Sequence, residues 1–235
     1  MARKRTGPRR AWRRYLAGAL LLAGLAGAAW YWWDIQYFAP DEAAFPEQGV
    51  AVSERQGLIG FESVRALGGS FVYVEASSGA TEQDARFGRN LAAARRAELK
   101  VGALHRFDPC MGADAQSANF VTIVPRDPDL LPPAIAFEET ADSCAEKVSD
   151  AAVESELLTF VNQVEMHAGR PVILKLSEAV EARYAIGARI ERDLWLVRDR
   201  FVPHYAGRPW LLWSANRARV TEAAEEPLEW VVVQP

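Results

Sequence analysis

Short apolar runs rich in β-branched and aromatic residues recur along the chain from about residue 50 to its end. Runs of this length and composition are typical of strands. The strand candidates are Val50–Val52, Phe71–Glu75, Lys100–Leu104, Ala134–Phe137, Pro171–Lys175, Leu194–Val197, Trp210–Trp213 and Glu229–Val233. Apolar residues at helical spacing lie between several of them and predict helices over 84–98, 113–123, 151–168 and 177–186.

Strands separated by helices predict a parallel sheet, and eight strand candidates permit a closed β/α barrel. The segments after about residue 190 are too closely spaced for a full helix each, so the barrel is expected to be irregular there. The helix over 151–168 ends before Gly169 with Pro171 beyond it, a common helix exit. In such barrels, catalytic groups gather at the carboxyl ends of the strands.

The segment from Leu16 to Trp33 holds eighteen residues without a charge. A helix of that length rises about 27 Å, close to the hydrocarbon thickness of a bilayer. Seven basic residues precede it, and Asp34 is the first acid after it. This bias predicts a cytoplasmic tail at 1–15, a transmembrane anchor at 16–33, an acidic linker at 34–48 and an exported domain at 49–235.

A cleaved signal peptide is the alternative, because Ala26-Gly27-Ala28 resembles a cleavage site. The four aromatic residues from Trp30 to Trp33 favour an anchor, since they suit a membrane interface better than a mature N-terminus. The anchor predicts an inner-membrane protein with its domain in the periplasm, and cleavage predicts a secreted one.

The formal net charge of −4 conceals an uneven distribution of charge. Seven of the 27 basic residues precede the first of the 31 acidic ones, so the exported domain is strongly acidic. An acidic domain is a poor partner for nucleic acid. The plain reading of these acids is a well-solvated surface.

Two cysteines, Cys110 and Cys144, are present. An even number in an exported domain predicts one disulfide, with two buried free thiols as the alternative. The three histidines are scattered, so neither residue type predicts a metal site, and no cofactor is implied.

The run GVAVSERQG opens at Gly49, and several short motifs follow it along the chain in a fixed order. Their order and spacing resemble those of glycoside hydrolase family 25, the lysozyme-like muramidases, which begins G-x-D-V-S-x-x-Q-G. The run LPPAIAFE, ending at Glu138, resembles its L-P-P-x-x-D-x-E. Further similar segments are Phe71–Gly79, Asp84–Asn90, Val101–Phe107, Gln116–Pro125, Gly169–Ile173, Leu194–Leu196 and Trp210–Trp213. The resemblance covers about residues 49–233.

This resemblance implies an irregular β/α barrel that hydrolyses the muramic acid linkage of peptidoglycan. The family's D-x-E puts two carboxylates on one side of a strand, because alternate residues share a side. The glutamate protonates the leaving oxygen, and the aspartate is thought to orient the substrate's acetamido group. Glu138 is the retained general acid. Without the resemblance, a solvated residue at the end of a strand is the favoured interpretation of Glu138.

The departures from the family fall on its chemistry. Ala136 replaces the aspartate of D-x-E, and Ala51 replaces the aspartate of the first strand. The H-W, T-E and Q-Y pairs have become Glu54-Arg55, Ser77-Ser78 and Ser214-Ala215, and the late D-L-N corresponds loosely to Glu229-Trp230-Val231. Losing an oriented catalytic group commonly removes orders of magnitude in rate.

Other side chains are candidates for the missing roles. Near predicted strand ends, a second carboxylate could come from Glu54, Glu75, Glu139 or Glu229. Four more residues could line a substrate groove, namely His105, Phe107, Trp195 and Trp213. Both tryptophans lie on strand candidates, which favours a place in the core over stacking on sugar rings.

Two functional hypotheses follow. The first is a peptidoglycan hydrolase that uses Glu138 with a relocated partner. The second is a catalytically inactive, membrane-tethered barrel that binds glycan or an envelope protein. The combined losses at Ala51 and Ala136 favour the second.

Overall fold

A computed structural model describes residues 8–235. The first part of the predicted cytoplasmic tail, with three of its seven basic residues, lies outside this range. Short 3-10 turns cover Glu54–Gln56 and Ala141–Ser143. The helices are α1 Pro8–Tyr37, α2 Phe61–Ala66, α3 Phe87–Arg96, α4 Ala113–Ile123, α5 Asp150–Ala168, α6 Glu178–Tyr184 and α7 Ile186–Arg189. The strands are β1 Gln48–Val52, β2 Gly69–Ser78, β3 Glu82–Gln83, β4 Lys100–Arg106, β5 Ala134–Phe137, β6 Ile173–Leu176, β7 Asp193–Val197, β8 Leu212–Arg219 and β9 Leu228–Val233.

Eight of these strands close into a barrel. The ring runs β1, β2, β4, β5, β6, β7, β8 and β9, and β9 pairs back onto β1. The two-residue β3 only extends the rim beside β2. The expectation of a parallel sheet is corrected at β9, which is antiparallel to both of its neighbours. Only residues 220–227 separate β8 from β9, which is too few for a parallel crossover.

Alternation along the strands divides the core into two layers. The barrel interior is filled mainly by Phe71, Tyr73, Leu104, Ile173, Trp195, Leu212 and Val231, with small alanines at 51, 134 and 136. The opposite faces of the same strands pack against the helices and form the larger outer layer. The inward or outward direction of each side chain at the carboxyl ends therefore follows from its strand parity.

The chain between α1 and β1 follows the outside of the barrel. α1 continues past the predicted 16–33 segment to Tyr37, and the side chains of Phe38 and Phe45 then pack against the outer core. The Asn216 amide on β8 donates to the carbonyl oxygens of Ile35 and Phe38, at 2.9 and 3.1 Å. The predicted linker is thus bound to the barrel through its own apolar residues.

Candidate active site at the barrel mouth

Five charged side chains meet where the parallel strands end. Glu75 on β2, Arg106 on β4 and Lys175 on β6 stand at inward positions of their strands, and Glu138 directly follows β5. Glu229 enters from β9, whose amino end lies on this side because the strand is antiparallel. The strand ends thus bring three carboxylates and two cations to one opening.

Lys175 is the centre of this cluster. Its side chain is only 4% exposed, and its Nζ lies 2.9 Å from Glu138 Oε1 and 2.8 Å from Glu229 Oε1. Burial lowers the pKa of Lys175, but the two carboxylates outweigh it, and the net shift is upward. Lys175 is therefore a buried ammonium held by two carboxylates.

The same ion pair sets the protonation of Glu138. Burial raises the pKa of this carboxyl, but the charge and the hydrogen bond of Lys175, aided by Arg106, bring it below its usual value. A general acid needs a proton near neutral pH, which usually requires a raised pKa. Glu138 faces into the mouth as expected, but this environment keeps it ionised.

Glu229 has further partners on its other side. The hydroxyl of Ser214 donates to Glu229 Oε1, and the indole Nε1 of Trp195 donates to that hydroxyl at 2.7 Å. The Lys175 ammonium lies 5.0 Å from the centre of the Trp195 ring. A continuous polar network therefore extends from the barrel interior to Glu138. Buried networks of this kind are stable when every member has a partner.

Ala136 and Ala51, which we predict to stand in place of family aspartates, both adjoin this network. Ala136 is the register partner of Lys175 on the neighbouring strand, and Ala51 is the partner of Glu229. Both methyl groups are buried. At each of these two positions, a charged residue of the network lies on the adjacent strand.

Two cavities open on the mouth. One of about 150 Å³ is lined by Arg55, Arg106, Lys175, Arg217 and the carboxylates Glu75 and Glu229. The other, of about 320 Å³, extends from Arg106 and Glu138 over Phe107 to the loop of Cys110. Arg106 lines both and forms an ion pair with Glu75 at 2.8 Å. The mouth is thus a groove with charged walls.

The candidate second acids separate in space. Glu229 shares Lys175 with Glu138, so the paired oxygens are less than about 6 Å apart, the sum of the two contact distances. Glu75 is neutralised by Arg106, and Glu139 is exposed on the wall of the larger cavity. Glu54 accepts a hydrogen bond from the Ala85 amide at 3.0 Å, away from this network. Glu229 is the carboxylate that the structure brings to Glu138.

Three of the four residues predicted to line a substrate groove are buried in the core layers. His105 points outward from β4, where its ring packs 4.6 Å from that of Phe160, and it contacts Ser77 Oγ and Gln116. Trp195 is fully buried inside the barrel, and Trp213 is buried in the outer layer beside Phe45. Only Phe107 lines a cavity. Strand parity explains the difference, because these side chains belong to core layers.

The predicted disulfide between Cys110 and Cys144 is present, with a Cα–Cα distance of 5.4 Å. It joins the loop after β4 to the loop after β5, beside the larger cavity.

The sequence analysis did not identify Lys175 as a site residue. A usable signal was present, because Lys175 interrupts the apolar run ILKL and shares a side of the strand with Ile173.

Comparisons with known proteins give one consistent result. The family model described as Glycosyl hydrolases family 25 matches residues 50–213. Lysozyme M1 of Streptomyces globisporus is 36% identical over 73 residues, which is 31% of this chain and spans only 25% of that lysozyme's length.

Solved structures agree with the family match. A family 25 glycosyl hydrolase from Bacillus anthracis superimposes with a TM-score of 0.76 at 23% identity, covering 85% of this chain and 93% of that one. A bacterial lysozyme from Streptomyces coelicolor gives a TM-score of 0.70 at 21% identity, covering 80% and 92%. These matches show the fold, and together with the family model they show that this chain belongs to glycosyl hydrolase family 25.

Proposed function

We propose that this protein is a membrane-anchored barrel that binds peptidoglycan without hydrolysing it at an ordinary rate. The observation that carries the proposal is the position of Lys175 between Glu138 and Glu229. The family scaffold and the open groove are kept, while the acid that should protonate the leaving oxygen is held as a carboxylate. We therefore expect peptidoglycan binding to be retained and hydrolysis to be largely lost.

The loss of chemistry has two parts. An ionised Glu138 cannot donate the proton that the departing sugar oxygen needs. Ala136 offers no carboxylate to orient the substrate's acetamido group, and the neighbouring Lys175 has the opposite charge. Each defect alone commonly lowers a rate by orders of magnitude.

The groove has suitable chemistry for a glycan that carries peptide carboxylates. Arg55, Arg106 and Arg217 present guanidinium groups, which bind carboxylates with two parallel hydrogen bonds. Glu75 and Glu139 can accept hydrogen bonds from sugar hydroxyl and amide groups. A protein of the cell envelope is the competing ligand, and the experiment below distinguishes it from glycan.

Membrane anchoring is the second part of the proposal. The stretch Tyr15–Tyr37 of α1 is 23 residues long and apolar enough to cross a membrane, by length and composition. The basic residues before it favour a cytoplasmic N-terminus and a periplasmic barrel. Removal of the N-terminus at Ala26-Gly27-Ala28 would instead give a secreted domain, and the mass of the protein purified from membranes distinguishes the two.

The proposal is tested with the full chain in detergent micelles and purified insoluble peptidoglycan. Release of soluble fragments is measured beside an active family 25 muramidase, and binding is measured by co-sedimentation. We expect at least about a thousandfold slower release than the muramidase and binding that weakens in the groove variant Arg106→Ala. The surface variant Arg65→Ala is the matched control. Hydrolysis near the muramidase rate, or absence of co-sedimentation, contradicts the proposal; the second result favours an envelope protein.

Slow hydrolysis is a second candidate function, because the oxygens of Glu138 and Glu229 that contact Lys175 are less than about 6 Å apart, and glycosidases act with two carboxylates placed close together. A substrate that displaced Lys175 would leave two carboxylates facing one reaction centre. This alternative predicts that Glu138→Gln abolishes whatever release the wild type shows. Equal release by the two proteins removes it.

A further inference from the structure

The transmembrane candidate α1 leaves the barrel at the same end as the mouth. Its last turn contacts Asn216 on the carboxyl half of β8, and the Gln36 carbonyl accepts from the Val220 amide at 2.8 Å just after that strand. The chain then descends along the outside, so that Phe45 reaches Trp210 before β8 begins, and Gln48 opens β1 at the opposite end. The carboxyl ends of the parallel strands therefore face the side from which α1 departs.

One loop at this end is fixed to the helix. We define the rim loop as residues 198–204, between β7 and β8. Its Arg200 forms an ion pair with Asp34, and the guanidinium lies 5.6 Å from the Tyr31 ring and 5.2 Å from the Phe38 ring. The loop is thus held against the helical turns that carry the aromatic residues expected at a membrane interface.

The rim loop exposes apolar side chains that nothing in the barrel covers. Phe201 is 66% exposed and Val202 is 36% exposed, directly after Arg200. Six large hydrophobic residues outside α1 are exposed in the described part of the chain, and four of them are in loops at the mouth end, namely Leu58, Met111, Phe201 and Val202. The other two, Leu158 and Met166, lie on α5. Phe201 and Val202 are adjacent, and contiguous exposed apolar groups are typical of an interaction surface.

We propose that the rim loop docks on the phospholipid bilayer, with Phe201 and Val202 inserted at the interface and Arg198 beside lipid phosphates. The inference rests on the proposed anchoring by α1, which puts the bilayer on this side of the barrel. An aromatic and an aliphatic side chain flanked by arginines match the chemistry of an interfacial anchor.

Docking has a consequence for the ligand. Asp34, Ile35 and Gln36, near the end of α1, bind directly to the barrel. The connection between the bilayer and the domain is therefore short. The groove then opens toward the outer surface of the membrane. Glycan emerging at that surface reaches Arg106 and Glu138 before glycan deeper in the wall does.

The test uses the full chain in vesicles of phosphatidylethanolamine and phosphatidylglycerol. Both native cysteines are in the disulfide, so a single added cysteine can be labelled with an environment-sensitive fluorophore. The labelled positions are Phe201→Cys on the rim loop and Leu22→Cys in α1. Met166→Cys is the control, because it is 80% exposed near the end of α5, at the opposite end of the barrel. Quenchers attached to the lipid at a shallow and a deep position report contact with the bilayer.

We expect the shallow quencher to lower emission at 201 roughly twofold, because an interfacial side chain lies near the headgroups, and to leave 166 unchanged. The deep quencher should act on 22 and hardly on 201. Quenching at 22 without quenching at 201 overturns the docking but keeps the anchor. No quenching at 22 overturns both, and neither result depends on co-sedimentation with peptidoglycan.

Discussion

The Nζ of Lys175 lies 2.9 Å from Oε1 of Glu138, in the mouth of a family 25 barrel. A buried ammonium in this position stabilises the ionised form of Glu138. The contact therefore links Glu138 to Lys175, the register partner of Ala136 on the adjacent strand. Under the proposed function, it replaces a hydrolytic centre with a neutralised network of charged groups.

Replacing Lys175 with methionine should destabilise the fold by about 3–5 kcal/mol, because two largely buried carboxylates lose their shared cation. The pKa of Glu138 should then rise above its usual value, since burial alone raises it. Urea denaturation measures the first effect and carboxyl NMR titration the second.

Two comparisons make the Lys175 result specific. Arg65→Met removes an exposed ion pair with Glu98 and should cost less than about 1 kcal/mol. Combining Lys175→Met with Glu138→Gln and Glu229→Gln should recover much of the lost stability, because no unpaired charge remains buried. If Lys175→Met alone is as mild as Arg65→Met, the network is not a buried ionic centre.

Stability should fall as the pH drops from about 6.5 to about 4, because of His105. Burial lowers the pKa of this histidine to about 4. In that interval the unfolded chain binds a proton at this residue and the folded chain does not, so folding becomes less favourable as the pH falls. The change amounts to about 3 kcal/mol over the interval.

His105→Gln should flatten this pH dependence, whatever its effect on stability at neutral pH. The matched control is His204→Gln, since His204 is exposed on the rim loop. Urea denaturation at half-unit steps of pH measures the slopes. An unchanged slope in His105→Gln, or an equal change in the control, contradicts the assignment to His105.

The sequence predicted the strands and the longer helices because local pattern determines them. All eight strand candidates are strands of the barrel, and the helix over 151–168 ends at Gly169, whose φ of 70° is the left-handed conformation that glycine adopts easily. The helix α2 was missed, since six residues are too short to show a periodic stripe. The direction of β9 was also missed, because strand orientation depends on the connection and not on the apolar run.

The site was predictable only in part. Parity correctly directs Glu138 toward the mouth once the barrel is assumed. The partners of Lys175 could not be read from the chain, because Glu138 and Glu229 come from β5 and β9, and only ring closure brings them to β6. The directions of Trp195 and Trp213 could not be predicted from the sequence either. Only the register of their strands shows that Trp213 faces the helices and that Trp195 faces the barrel interior.

Removing the disulfide should weaken the rim of the larger cavity. Cys110 and Cys144 are 34 residues apart, and closing a loop of that length stabilises a fold by about 4 kcal/mol in the chain-entropy model. The double variant Cys110→Ser/Cys144→Ser should lose about that much in urea denaturation. Wild type measured in reducing buffer is the control and should match it. A loss below about 1 kcal/mol contradicts a structural role for the bridge.

Asn216→Ala should loosen the attachment of α1 to the barrel. The amide of this buried side chain donates to two carbonyl groups, on Ile35 and Phe38, and its oxygen accepts from the Ala218 amide. Two partly buried carbonyl oxygens that lose this donor cost on the order of 1–3 kcal/mol. Backbone hydrogen exchange in residues 35–47 should therefore accelerate by roughly tenfold, which corresponds to about 1.4 kcal/mol.

The comparison variant for Asn216→Ala is Arg217→Ala, which breaks an exposed ion pair with Asp199 on the neighbouring loop. It should leave exchange in residues 35–47 unchanged, because Arg217 makes no hydrogen bond to that segment. Equal acceleration in both variants would mean that the segment responds to any disturbance of β8. Protection lost only in Asn216→Ala would show that this side chain contributes specifically to the coupling of the helix to the barrel, beside the Arg200–Asp34 ion pair.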